Sequence, residues 1–120
     1  MSFSSIIEGK PQTLQQVAMQ LKGLALKADK HMQEHVYLGA KHPVALYSIG
    51  TLNNVLFGIQ VTEKYCVLYL HYTDVADTLS LKIEGGEGNH AKHIKLTGIT
   101  HELEAELKQV MKNIVKASKN

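Results

Sequence analysis

Between residues 14 and 28 apolar side chains recur every three or four positions: Leu14, Val17, Ala18, Leu21, Ala25 and Ala28. That spacing keeps one stripe on one side of an α-helix, and Pro11, Gln12 and Thr13 announce its start. Thr13 and Gln16 have capping-box spacing, in which the hydroxyl takes a first-turn amide and the glutamine reaches back. Gly23, inside the helix, costs about 1 kcal/mol relative to alanine. From Val36 the period shortens to two. Tyr37 to Gly39 form a short strand or an irregular entry, and Pro43 blocks any helical continuation. VALYSI (44–49), NVLFGIQV (54–61), YCVLYLHY (65–72), LSLKI (79–83) and KHIKL (92–96) then read as strands. Turn residues separate them: Gly50 with Asn53 and Asn54, Thr62 to Lys64, and Thr73 to Asp77. The last segment returns to the helical period through Leu103, Leu107, Val110, Ile114 and Ala117. Thr100 stands at its N-cap. Glu102, Glu104 and Glu106 lie at the positive end of the helix dipole, and Lys112, Lys116 and Lys119 at the negative end.

Helix, about five strands, helix: the pattern predicts one α+β domain over residues 1–120, with 1–10 a loosely ordered leader. The antiparallel sheet is flanked on one face by an N-terminal and a C-terminal helix. Strand alternation sorts its side chains. Val55, Phe57, Ile59 and Val61, Cys66, Leu68 and Leu70, then Leu79, Leu81, Ile83, Ile94 and Leu96 fall on the side that must lie under the helices. Tyr47, Gln60, Tyr65, Tyr69, His71, Lys82, His93 and Lys95 fall on the other, which an antiparallel sheet can leave in water. Lysine supplies charge there, and tyrosine and histidine supply hydrogen-bond donors on a stackable ring. The face therefore suits an anion or a polar planar ligand.

Composition narrows the partners. The chain has 120 residues, 44% hydrophobic and 20% charged, with a formal net charge of +2. All thirteen basic residues are lysines. Lack of arginine, the usual fork for phosphate and guanine, speaks against nucleic acid. The single cysteine, Cys66, excludes an intrachain disulfide, and its apolar neighbours predict a buried thiol. No run approaches the ~18 apolar residues that span a bilayer, and no signal peptide opens the chain, so a cytoplasmic protein is expected.

The stretch IEGGEGNHAKHIKL (83–96) is the most suggestive one. It precedes a strand rather than a helix and lacks Gly-Lys-Ser/Thr, which excludes dinucleotide and P-loop fingerprints. Its glycines still let backbone amides converge on an anion, beside His90 and Lys92. For metals, His31 and His35 lie one helical turn apart if the first helix extends that far, with Glu34 between. No serine or cysteine has the surroundings of a nucleophile, so catalysis is not expected.

Three segments, VYLGAKHPVALYSIG (36–50), LFGIQVTEKYCVLYL (56–70) and GEGNHAKHIKL (86–96), resemble in order the YdhG-like family, domain of unknown function 1801. Tyr37-Leu38 replaces the family's frequent tryptophan, and Glu87 stands where lysine is common. The resemblance implies a small cytoplasmic domain with helices on one side of a curved antiparallel sheet. One branch of that family is described as frataxin-like iron chaperones, which implies iron held by carboxylates, here Glu102 and Glu106 with His31 and His35. The expected function is a non-catalytic binding domain without a cofactor. It recognises a small anionic ligand or a protein partner through Tyr65, Tyr69, His71, His90, Lys92 and His93. Iron handling is the alternative. The sequence does not fix the oligomeric state, and a dimer is compatible with it.

Overall fold

The computed structural model describes residues 3–38, 43–51, 54–71, 84–85 and 92–119, with the backbone alone at 84, 85 and 92. In chain order the elements are α1 (Ser4–Ile7), α2 (Gln12–Lys27), β1 (Met32–Tyr37), β2 (Val44–Ile49), β3 (Val55–Val61), β4 (Cys66–Leu70), β5 (Glu84–Gly85), β6 (Lys92–Leu96) and α3 (His101–Ser118). The strands form one antiparallel sheet in the order β1-β2-β3-β4-β6-β5. This is the expected α+β architecture, five strands joined by the two-residue β5. The expected strand at 79–83 lies outside the described residues.

Helix α2 buries Leu14, Val17, Ala18, Leu21, Leu24 and Ala25, and α3 buries Leu107, Val110, Met111, Ile114 and Val115. Both stripes join one core with Ala45, Tyr47, Phe57, Ile59, Leu68 and Ile94 of the sheet. The helices therefore cover a single face. Each large apolar side chain fully buried there contributes about 1.5–3 kcal/mol. Where the sequence suggested a loose leader, Phe3 and Ile6 are seated in that core, 3% and 0% exposed. Lys10 adds an ion pair to Glu63 in the β3–β4 turn, at 3.1 Å. Among the described residues no helix is long and apolar enough to cross a membrane.

The helix starts differ from one another. Thr100 caps α3 as expected, its Oγ1 accepting from the Leu103 amide at 3.1 Å. Thr13 does not cap α2. Pro11 occupies the N-cap position, with its carbonyl taking the Leu14 and Gln15 amides, and Gln15 reaches back to the Lys10 carbonyl at 2.9 Å. Proline fits a helix start because its φ is preset and no amide hydrogen is needed there. That places Thr13 two residues past the cap position.

Helix α2 also ends sooner than a His31–His35 pair would require. Asp29 Oδ1 accepts from the His31 amide at 2.7 Å, and the Asp29 carbonyl accepts from Met32. Such local bonds compete with helix propagation and reverse the chain. The Lys119 ammonium holds the other Asp29 oxygen at 2.6 Å and, with the His31 amide, keeps this carboxyl below the usual carboxylate range. The end of α3 is thereby tied to the turn between α2 and β1.

Cys66 is fully buried, with its thiol donating to the Leu14 carbonyl at 3.2 Å. Burial pushes the thiol up to about 11, partly offset by the Ala18 backbone. Thiolate, the reactive form, is then scarce at neutral pH. Ellman's reagent is expected to find no thiol in the folded protein and one after denaturation. A fast stoichiometric reaction of the native protein would show that the helices do not cover this strand.

Candidate functional site on the back of the sheet

The β3–β4 hairpin sets the phase of strand β4. The Thr62 amide donates to the Tyr65 carbonyl at 2.9 Å, while Thr62 Oγ1 accepts from the Lys64 and Tyr65 amides, each at 3.2 Å. Beyond this turn Cys66, Leu68 and Leu70 point under the helices, so Tyr65, Val67, Tyr69 and His71 take the opposite side. Strand β6 matches that phase: Tyr69 stands opposite His93, and Val67 opposite Lys95. On the other flank Tyr69 faces Gly58 of β3. A Cβ at residue 58 would lie 3.4 Å from Tyr69 Cβ and Cδ2. Glycine thus leaves room for the tyrosine to lie close against β3.

Four side chains pair across these strands. The Tyr69 and His93 ring centroids are 5.9 Å apart at 54°, a tilted contact of the kind aromatic pairs favour. The Tyr69 hydroxyl donates to Gln60 Oε1 at 3.0 Å, which fixes the ring from β3. Lys95 Nζ sits 5.1 Å from the Tyr65 centroid, within cation–π range. Tyr65, Tyr69 and His93 are half-buried and Lys95 is exposed. His71 continues β4, its amide donating to the Leu56 carbonyl at 3.0 Å. Burial holds its imidazole below the ordinary histidine value, so it is neutral at pH 7.

Of the expected ligand-binding residues, Tyr65, Tyr69, His71 and His93 therefore share one face. The backbone of Lys92 stands in register with Leu70. His90, Gly86 and Gly88 lie outside the described residues. Glu84 and Gly85 do pair with His93 and Lys92, which makes β5 the strand next to the site.

Tyr47 corrects the sorting of faces. It stands opposite Phe57 and is fully buried on the helix side, where its hydroxyl donates to Glu34 Oε2 at 2.6 Å. Lys22 of α2 lies 3.6 Å from the other Glu34 oxygen, with its ammonium 4.8 Å from the Phe3 ring centroid. Burial, and then the Glu34 carboxylate, hold the Tyr47 hydroxyl well above its usual range. Strand β2 gives no clear phase, since VALYSI is apolar on both sides. A register shift between Tyr47 and Ser48 disturbs alternation further. Among the described residues two buried atoms, Ser48 Oγ and His35 Nε2, have no hydrogen-bond partner.

The expected metal residues are not brought together. His31 precedes β1 and His35 lies within it, so four extended residues separate them by roughly 13 Å instead of one helical turn. His31 follows Asp29, which is bound to Lys119 at the far end of α3. Glu102 stands 17 residues before Lys119, about 25 Å away along that helix. Glu102 is exposed and Glu106 half-buried on the same helix. Among the described residues no group of three or more metal-ligating side chains forms. On the helix side an open groove of about 490 Å³ runs along α2, lined by Ile7, Gln12, Gln15, Gln16, Met19 and Gln20 without an ionisable group.

Comparison with known proteins gives no match: no family model, no curated protein and no solved structure fits this chain.

Proposed function

We propose that this chain is a non-catalytic binding domain of the cytoplasm, related to YdhG-like domains, that takes an anionic ligand on the back of its sheet. The anion is a small molecule or a group displayed by a protein partner. One observation carries the reading: a lysine over one tyrosine and a histidine against another, side by side on β4 and β6, on the side away from both helices. An exposed ammonium attracts the anion, the rings offer planar faces, and the hydroxyl and imidazole supply directed hydrogen bonds. Gln60 and Gly58 hold Tyr69 in place beforehand, which lowers the ordering cost of binding. Iron handling has less support, because Glu102 is explained by the helix dipole and no third ligand joins Glu102 and Glu106 among the described residues.

A thermal-shift screen with phosphates, nucleotides and carboxylates tests the proposal. A ligand at a hundred times its dissociation constant adds ~2.7 kcal/mol to stability. The expected outcome is a rise in Tm with one anion class that disappears in Lys95→Glu and in Tyr69→Ala. If no compound shifts Tm, or the shift survives both substitutions, the back face is only a solvated surface.

A further inference from the structure

We propose that the outer side of α2 is a second binding site, taking an extended peptide whose C-terminal carboxylate lies beside Lys27 and Lys108. Two grooves meet there at Met19 and Gln20. One, of about 490 Å³, follows the first half of the helix and is lined largely by glutamines. The other, of about 210 Å³, lies between α2 and α3 and reaches Lys27, Glu104 and Lys108. Both are on the helix side, apart from Tyr69 and Lys95, so the inference does not rest on the back-face site.

Gly23 opens the second groove. It stands in the interior of α2, where glycine is less favourable than alanine. A Cβ built there would meet nothing within 4 Å, and its φ is not in the left-handed region. Neither packing nor backbone geometry therefore asks for glycine at this position. Its missing side chain leaves open the floor between Met19, Leu24 and Lys27.

The walls change character along the helix. Gln12, Gln16 and Gln20 bond to no other side chain among the described residues. A carboxamide carries the donor and acceptor of a peptide group, so these side chains suit an extended backbone whatever its sequence. Met19, 49% exposed, and Leu24 make an apolar middle. At the far end Lys27 forms no ion pair among the described residues, and Lys108 reaches Glu104 only at 3.9 Å. Two ammonium groups against one carboxylate leave that end cationic.

This order of features selects the occupant. Helix α2 has 16 residues from Gln12 to Lys27, about 24 Å of helical rise. An extended peptide of about seven residues covers that span. A fatty acid would suit the lysines but press its chain against the amides, leaving them without partners. A free inorganic anion would meet the lysines alone. A carboxylate at the end of a peptide backbone meets amides, apolar floor and lysines together.

Titration of the ¹⁵N-labelled protein with a heptapeptide of alternating serine and leucine tests this, with the C-terminally amidated peptide as comparison. Saturable shifts are expected at the amides of Gln16, Gln20, Gly23 and Lys27. Amidation is expected to weaken binding about tenfold, as loss of a charged contact implies. Lys27→Glu with Lys108→Glu is expected to weaken binding of the free acid and not of the amide. Gly23→Leu is expected to raise Tm, since the helix gains propensity and the space is open, yet to abolish the shifts. No shifts up to millimolar peptide, equal binding of acid and amide, or undiminished binding by Gly23→Leu would overturn the proposal. So would matching shifts and affinity from decanoate or tripolyphosphate, since the amides would then select nothing.

Discussion

Replacing Phe57 by alanine is expected to lower the unfolding free energy by about 3–5 kcal/mol, a large share of the 5–15 kcal/mol typical of a domain. The side chain is fully buried between Tyr47 and Leu70 on neighbouring strands, in the core shared with α2 and α3. Truncation removes the transfer energy of the ring and leaves a cavity that close-packed strands cannot collapse into. Urea unfolding checks it, with the midpoint falling and the slope unchanged. Lys95→Ala on the opposite side serves as the control, expected within about 0.5 kcal/mol of the wild type. Comparable costs for the two substitutions would mean that the sheet does not have one covered face.

The second large effect falls on Tyr47. Tyr47→Phe is expected to cost about 1.5–3 kcal/mol, the range for a hydrogen bond to a charged group. It deletes the 2.6 Å bond to Glu34 and leaves that carboxylate to Lys22 and to water at the sheet edge. The substitution also has a pH signature. The folded hydroxyl keeps its proton above its ordinary value, while the unfolded chain loses it near pH 10. Its contribution is complete below pH 10. As pH rises further the native state binds the extra proton, so stability falls by up to ~1.4 kcal/mol per pH unit. Cys66 adds a loss of the same sign, beginning near its ordinary value and ending as the folded thiol ionises at about 11. Stability measured across the alkaline range should therefore fall less steeply in Tyr47→Phe than in the wild type. Parallel slopes would show that Tyr47 ionises in the folded state as freely as in solvent.

Much of this architecture is legible in the sequence wherever one period dominates. The stripe from Leu103 to Ile114 and the cap at Thr100 define α3 without ambiguity. In β4 the alternation of Cys66, Leu68 and Leu70 with Tyr65, Tyr69 and His71 separates the two faces, and the structure keeps that division. The misreadings arise where local signals are balanced. VALYSI is apolar on both sides, so only pairing with β1 and β3 reveals that Tyr47 turns inward. MQEHVY has too little apolar contrast to announce β1, and the helical stripe runs past Lys27 through Ala28 until Asp29 bends the chain. The Lys22–Glu34–Tyr47 cluster joins α2, β1 and β2, and no single stretch of sequence carries it.

The measurement that bears most directly on the back face is an NMR titration of the ¹⁵N-labelled protein with inorganic tripolyphosphate. A binding face on β4 and β6 predicts saturable shifts at the amides of Tyr65 to His71 and His93 to Lys95, which Lys95→Glu abolishes. Shifts confined to Glu102 through Glu106 and the surrounding turns of α3, or none at any concentration, would contradict it.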